Sequence, residues 1–181
     1  MPRLFVALQL PEPLTQAVSE LQFGLRSARW LNEEGLHLTL AFVGEVGSSE
    51  QRRIEAALEA VTAPALHMEL HGLGCFPPRG APRTLWTGAS PKAEIVSLAR
   101  SVRRALERGG LTLERRKFMP HVTIARFRQP PSPTELERYL GTHSLFRTSR
   151  AGVASFHVLS SVLRSSGARY TIETTFPLTG A

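Results

Sequence analysis

Residues 33–45 have the sequence EEGLHLTLAFVGE, and within them His37-Leu38-Thr39-Leu40 alternates polar and apolar side chains. The same pattern returns 84 residues later (121 minus 37) as HVTI, residues 121–124, within KFMPHVTIARFRQ. Because successive side chains of a strand point to opposite faces, each copy predicts a strand that places its histidine and threonine on one face. The apolar residues of the first copy, including Phe42, are expected on the other face.

A turn and then a helix are predicted after each copy of the motif. Glu50 lies 13 residues after His37 and Glu135 lies 14 residues after His121, each in a segment with helical spacing. Strand, turn and helix therefore recur in one order and at nearly equal lengths. Two such units related by a pseudo-twofold axis would bring the two histidines to one shared cleft.

The rest of the chain mixes strands and helices without a regular βαβ rhythm, which predicts an α+β fold with mainly antiparallel sheets. Strands are predicted at 3–10, 36–44, 66–76, 84–89 and 121–127, and two more around a turn at Ser165-Ser166-Gly167. Helices are predicted from about residue 14, at 48–61, at 92–110 and at 133–141. Ser48 and Gln51 have the spacing of a capping box. Residues 111–116 fit either a short strand or a loop.

Composition is typical of one globular domain spanning residues 1–181, with 42% hydrophobic and 20% charged residues. No apolar run approaches the roughly 18 residues that a membrane span needs. The N-terminal segment is expected to be an opening strand rather than a signal peptide. Cys75 is the single cysteine, which excludes an internal disulfide. We expect a monomer located in the cytoplasm.

The net charge of +7 favours a polyanionic partner such as nucleic acid. The alternative is that the preference for arginine (20 Arg against Lys92 and Lys117) reflects genomic base composition. All 15 acidic residues are glutamate. The absence of aspartate excludes a Ser-His-Asp triad, EF-hand loops and Asp-held Mg²⁺ sites in their usual forms.

Two histidines on facing strands suit an in-line displacement at phosphorus. One imidazole takes a proton from the entering oxygen, and the other gives a proton to the leaving oxygen on the opposite side. An imidazole pKa near 6.5 allows both roles around neutral pH. The hydroxyls of Thr39 and Thr123 can hydrogen-bond phosphate oxygens. This scheme needs neither a metal ion nor a cofactor.

The doubled His-x-Thr-x motif, together with RLFVALQLP, RWLNEEGLHLTLAFVGEV, LHGLGCFPPRGAPRTLWTG, FMPHVTIAR and YTIETTFPL, resembles the two-histidine (2H) phosphoesterases. Within them it is most similar to the LigT-like RNA 2′,3′-cyclic phosphodiesterases, also described as RNA 2′-5′ ligases. The resemblance implies a bilobal α+β fold, with two pseudo-symmetric lobes whose antiparallel sheets line a central cleft and whose helices lie outside.

The implied activity is hydrolysis of an RNA 2′,3′-cyclic phosphate end to a 2′-phosphate, with tRNA fragments among the candidate substrates. By resemblance, His121 accepts the proton of water, His37 donates a proton to O3′, and Thr39, Thr123 and Arg126 hold the phosphate. Three alternatives stay open: reversible 2′-5′ joining of RNA, hydrolysis of a small cyclic nucleotide, and a non-catalytic RNA-binding module.

Some assignments stay undecided between two roles. Strict alternation puts Arg126 on the face opposite His121, so that it reaches the site only through a twist or bulge, and Arg128 competes with it. Phe5 is expected either to stack on the terminal base or to lie in the core. Residues 114–117 (ERRK) fit an RNA contact or a solvated charge run. Trp30 and Trp86 are expected in the core.

A metal site is the weaker interpretation of a second group of residues. His67, Glu69 and His71 share one predicted strand face, and Cys75 follows them, but their spacing matches no common zinc pattern. Cys75 is expected to be a small buried hydrophobe. His143 and His157 have no companions and are expected at the surface or in packing.

Overall fold

The computed structural model describes residues 3–114, 117–164 and 167–179. Its strands are β1 Arg3–Gln9, β2 Ala28–Trp30, β3 His37–Glu45, β4 Leu66–Phe76, β5 Thr84–Ser90, β6 His121–Phe127, β7 Ala151–Val153, β8 Ser155–Arg164 and β9 Gly167–Pro177. Its helices are α1 Glu12–Ser19, α2 Ser48–Leu58, α3 Lys92–Arg108 and α4 Pro133–Thr142, with a 3₁₀ turn at Glu33–Gly35.

The strands form two sheets, which confirms the α+β prediction. One sheet has the order β3-β1-β8-β9 and the other β2-β6-β5-β4-β7, and neighbouring strands in both pair antiparallel. The first His-x-Thr-x motif lies on β3 of one sheet and the second on β6 of the other. Because β3 and β6 are in contact, the two sheets meet where the motifs lie.

The core lies on the side of the sheets that faces the helices. Helix α3 shows why the chain folds this way, because its apolar residues recur every three or four positions and are all buried: Ile95, Leu98, Ala99, Val102, Ala105 and Leu106. They share one cluster with Leu38 and Leu40 of β3 and with Val122 and Ile124 of β6. The opposite faces of these two strands are therefore left for the cleft.

The sequence predicted most element boundaries to within a few residues, but the capping box was wrong. Gly47 is the N-cap of α2, so Ser48 is already inside the helix and makes no cap hydrogen bond. The side chain of Gln51 donates instead to Glu55 Oε1 at 3.0 Å. By contrast, Ser132 caps α4, where its Oγ accepts from the backbone N–H of Glu135 at 3.2 Å.

Other differences concern short segments. Strands β2 and β7 were missed because each has three residues, too few to show alternation. Residues 111–114 are loop, and the predicted helix that carries residues 14–25 ends at Ser19. Ser165 and Ser166 of the predicted turn, and the middle of the ERRK run, lie outside the described residues.

None of the helices in the described ranges has the length and apolarity to cross a bilayer.

Each motif strand carries a β-bulge at the same place, three residues after its histidine. On β3, Thr39 pairs with Ala7 and Ala41 with Val6, so Leu40 has no partner. On β6, Thr123 pairs with Trp86 and Ala125 with Leu85, so Ile124 has no partner on β5. An extra residue shifts the alternation of the side chains that follow it by one. On β3 a second bulge follows, because Phe42 pairs with Phe5 and Gly44 with Leu4, which leaves Val43 without a partner.

Candidate active site

Both histidines line one small cavity between the sheets, of about 60 Å³. The other residues predicted to hold phosphate, Thr39, Thr123 and Arg126, line it as well. The cavity is completed by Leu31, Gly35 and Tyr170. The structure therefore brings together two imidazoles, two hydroxyls and one guanidinium from two distant segments of the chain.

A backbone carbonyl two residues earlier in the chain orients the ring of His121. Its Nδ1 lies 2.7 Å from the carbonyl oxygen of Met119. Because a carbonyl only accepts hydrogen bonds, Nδ1 carries the proton, and Nε2 of the neutral ring has a free lone pair. The ring packs edge-on against Phe76, with centroids 5.0 Å apart, and lies 6.2 Å from Trp86. The arrangement gives His121 a fixed orientation with its basic nitrogen away from the backbone.

A glycine makes room for the tryptophan beside His121. Gly74 of β4 pairs with Trp86 of β5, and a Cβ at Gly74 would lie only 2.3–2.8 Å from atoms of the indole ring. The indole therefore occupies the space above the bare backbone of Gly74. Trp86 is half-buried and faces the site rather than the core, so the core prediction for it was wrong.

His37 lies between two aromatic rings. Its ring lies 4.8 Å from Phe5 and 5.1 Å from Tyr170. The pKa of His37 is lowered from 6.5 to about 4, mainly by burial and secondly by the charge of the Arg126 guanidinium. The backbone of Glu34 raises this pKa, but by less. Among the described residues, buried Nδ1 of His37 has no hydrogen-bond partner of good geometry. In the ligand-free protein, His37 is thus uncharged at neutral pH.

The bulge at Ile124 solves the problem that strict alternation posed for Arg126. Ile124 and Ala125 are both fully buried, and the next residue, Arg126, returns to the cleft face with His121 and Thr123. Arg128 lies past the end of β6, is exposed, and is not a lining residue of the cavities described in this section. The permanently charged guanidinium of Arg126 lines the same cavity as the hydroxyls of Thr39 and Thr123, and this combination is suited to bind a phosphate group.

Two wider cavities adjoin the small one, and both share Arg126 and Tyr170 with it. The larger, of about 700 Å³, also includes His37 and Thr39 and is called the wide cleft below. The smaller, of about 290 Å³, is bordered by Trp30, Leu31 and the start of β9. Trp30 also packs on the core, so its core prediction holds in part.

The sequence missed two residues of the site. Tyr170 lines all three cavities, and its position in the conspicuous segment YTIETTFPL was the available signal. Phe42 was expected on the apolar face, but the bulge at Leu40 turns it into the wide cleft, where it is 56% exposed. Phe5 lines the same cleft with its ring on His37, but it is only 4% exposed and packs with Ala7 and Leu159, which confirms the core alternative for it. Its stacking on a base stays a prediction.

The residues of the metal interpretation do not converge. Within residues 3–114, 117–164 and 167–179, no three His, Cys or Glu side chains come together as a metal site. Glu69 instead accepts from Arg147 at 2.6 Å. Cys75 is half-buried and packs on the core, and burial raises the pKa of its thiol.

The two remaining histidines are packing residues, as expected. His157 is 7% exposed and hydrogen-bonds Ser155 and Thr175. The ring of His143 lies 4.6 Å from that of Tyr139. Neither borders the cavities described above.

Comparison with known proteins supports the resemblance noted in the sequence. A family model described as the 2′-5′ RNA ligase superfamily matches residues 10–163. A protein of Archaeoglobus fulgidus named RNA 2′,3′-cyclic phosphodiesterase is 31% identical over 172 residues, which cover 93% of this chain and 96% of the relative.

Two solved structures extend the likeness to the whole fold. The crystal structure of a Thermus thermophilus protein has a TM-score of 0.80 and 28% identity, and the match covers 98% of each chain. The crystal structure of Escherichia coli LigT complexed with 3′-AMP has a TM-score of 0.78 and 25% identity, and the match covers 99% of each chain. The α+β fold with two antiparallel sheets that the resemblance implies is therefore confirmed, and its division into two pseudo-symmetric lobes stays a prediction.

Proposed function

The chain belongs to the 2′-5′ RNA ligase superfamily, and on that premise we propose that it hydrolyses RNA 2′,3′-cyclic phosphate ends to 2′-phosphates. One observation carries the proposal: His37, Thr39, His121, Thr123 and Arg126 border one cavity. Relatives named RNA 2′,3′-cyclic phosphodiesterase, from archaea and bacteria, support the choice of substrate. We infer that the protein acts on RNA in the cytoplasm as a monomer.

His121 acts as the general base. The hydrogen bond from Nδ1 to the Met119 carbonyl leaves the Nε2 lone pair free to take a proton from water. The water oxygen then attacks phosphorus, a new P–O bond forms, and the P–O3′ bond breaks on the opposite side. The phosphate stays on O2′.

His37 acts as the general acid and gives its proton to the departing O3′. In the ligand-free protein its pKa is about 4, which is too low for this role at neutral pH. A bound phosphate brings negative charge next to His37 and offsets the field of Arg126, so it raises the pKa. Substrate binding thus favours the protonated form of His37, which is the form that can donate a proton to O3′.

Thr39, Thr123 and Arg126 hold the non-bridging oxygens of the phosphate. The hydroxyls donate one hydrogen bond each, and the guanidinium offsets the charge that builds up on the oxygens during attack. Because two imidazoles carry both protons, the reaction requires no metal ion.

The test uses a short RNA ending in a 2′,3′-cyclic phosphate, with EDTA in excess. We expect a product that keeps its phosphate after treatment with a 3′-specific phosphomonoesterase. A 3′-phosphate product would contradict the proposed direction of cleavage. Loss of activity in EDTA with recovery on adding Zn²⁺ or Mn²⁺ would contradict the metal-independent mechanism.

Reversible 2′-5′ joining of RNA is the second candidate. It differs only in the attacking group, a 5′-hydroxyl of RNA in place of water. The observation that favours it is the cavity of about 290 Å³ beside Arg126, which offers room for a second nucleoside. Incubation of a cyclic-phosphate RNA with a 5′-hydroxyl RNA should then give a joined product, and its absence at high RNA concentration removes this candidate.

A further inference from the structure

Arg29 lies directly opposite Arg126 in the sheet that carries the second motif. Strands β2 and β6 pair antiparallel with these two residues as Cα partners, so both side chains leave the sheet on the cleft face. Both residues line the cavity of about 290 Å³, which is called the arginine cavity below. Two like charges directly opposite each other destabilise a strand pair, and an anion bound between them removes that repulsion.

The lining of the arginine cavity is suited to an anion. None of the lining residues that the structure describes is acidic, and Asn32 and Tyr170 add side chains that can donate hydrogen bonds. Asn32 is held in place, because its Oδ1 accepts from the backbone N–H of Gly35 at 3.2 Å. The cavity therefore combines two cations with neutral donors.

The side chain of Arg29 reaches from one sheet to the other. A Cβ at Gly167, the first residue of β9, would lie 2.7 Å from Arg29 Nη2. The guanidinium thus occupies space that any side chain at residue 167 would fill. Arg29 is nevertheless exposed, so a ligand that enters the cavity from solvent can contact its charge.

We propose that the arginine cavity binds the phosphodiester on the 5′ side of the terminal nucleotide, with Arg29 as the residue that contacts it. The proposal rests on the proposed function, because it takes the cyclic phosphate to lie on Arg126 in the adjoining small cavity. The two cavities share Leu31, Arg126 and Tyr170, so two phosphates of one nucleotide can occupy both. A free nucleoside cyclic phosphate has a 5′-hydroxyl and brings no second anion. The site therefore favours the end of an RNA chain over a free cyclic nucleotide.

The test is a calorimetric titration with two ligands that differ only in the second phosphate, adenosine 2′-monophosphate and adenosine 2′,5′-bisphosphate. We expect the bisphosphate to bind the parent protein about tenfold more tightly. Arg29→Met should lose most of this gain, whereas its affinity for the monophosphate should change far less. Arg29→Lys keeps the charge and should keep part of the gain.

Arg128→Met is the matched control, since Arg128 is exposed beyond the end of β6 and is not a lining residue of the three cavities. It should keep the whole gain. An equal gain in the parent and in Arg29→Met, or no gain in the parent, would overturn the proposal. These titrations proceed without turnover. A gain that depends on Arg29 in a protein that fails to hydrolyse cyclic phosphates would therefore support the site and contradict the proposed function.

The other source of such an anion is a second RNA strand that enters with its 5′-hydroxyl. Adenosine 3′-monophosphate, added to protein saturated with adenosine 2′-monophosphate, represents the first nucleotide of that strand. We expect its binding to be the same in the parent and in Arg29→Met. Binding of this second ligand that depends on Arg29, without a gain for the bisphosphate, would assign the cavity to the entering strand and overturn the proposal.

Discussion

Arg126 on β6 lies close enough to His37 on β3 for its charge to lower the pKa of that imidazole. The two residues belong to different sheets and meet at the cavity that both line. In the proposed mechanism the same guanidinium binds the phosphate, and, after burial, its charge is the second cause of the low pKa of His37. The proposed mechanism therefore links binding of the anion to protonation of His37.

Replacing Arg126 with Met should raise the pKa of His37 above about 4, because a neighbouring positive charge is removed. The pKa should stay below 6.5, because burial is the larger cause of the shift. The measurement is an NMR titration of the His37 imidazole in the ligand-free protein. Arg126→Lys keeps the charge and serves as control; an unchanged pKa in Arg126→Met would contradict the link.

The same Arg126→Met variant should be about 10–100-fold slower on cyclic-phosphate RNA, since a charged hydrogen bond to phosphate is lost. The defect should appear in kcat/KM. Arg126→Lys should recover part of the rate, because a single ammonium cannot reproduce the two parallel bonds of a guanidinium. A parent-like kcat/KM in Arg126→Met would remove this residue from phosphate binding.

The stability of the protein should depend on the charge state of His37. The folded-state pKa of about 4 lies below the ordinary 6.5, so the unfolded chain binds more protons between these values. The unfolding free energy is therefore unaffected by His37 above pH 6.5 and falls as the pH drops from 6.5 to 4. The loss amounts to about 3 kcal/mol, since one pKa unit corresponds to about 1.4 kcal/mol.

The comparison variant is His37→Gln, which cannot titrate. Urea unfolding at pH 6.5 and pH 4 should show a loss for the parent that exceeds the loss for His37→Gln by this amount. His157, whose pKa is also lowered by burial, is present in both proteins and cancels. Parallel losses in the two proteins would mean that His37 is not held neutral in the fold.

His37→Ala and His121→Ala should each slow hydrolysis at least about 100-fold, because each removes one proton-transfer group. Affinity for RNA should be largely kept in both variants. His67→Ala is the control, since His67 is exposed on β4 and borders none of the described cavities. A variant at 37 or 121 that retains the full rate removes that residue from the mechanism.

Gly74→Ala should destabilise the protein by about 1–3 kcal/mol, because the added methyl overlaps the Trp86 ring. It should also slow turnover, because Trp86 packs beside His121. Gly152→Ala is the control, since nothing lies within 4 Å of a Cβ there. Trp86→Leu in the Gly74→Ala background should relieve the overlap, so the double variant should lose less stability than the sum of the single variants.

The sequence predicted those parts of the fold that simple periodicity controls. Strands β4 and β6 were predicted with their observed bounds, because alternation runs through most of their length. The two histidines and two threonines precede the bulges, so alternation placed them on one face correctly. Their catalytic and binding roles stay predictions.

Departures from periodicity explain what the sequence did not predict. A bulge is a pairing relation between two strands, and nothing in AFV or ARF alone marks Leu40 or Ile124 as the unpaired residue. Phe42 was therefore placed on the wrong face. Trp86 was misplaced for a related reason, because the space it occupies depends on Gly74 of the neighbouring strand.

In the proposed reaction one phosphorus atom is flanked by His37 and His121, and a crystal structure with a nucleoside–vanadate complex tests this most directly. Vanadate adopts five-coordinate geometry, with the entering and leaving oxygens at opposite apices. We expect one apical oxygen within about 2.6–3.2 Å of His121 and the other within the same distance of His37. A complex in which one of the two imidazoles has no apical oxygen within hydrogen-bonding distance would contradict the proposed mechanism.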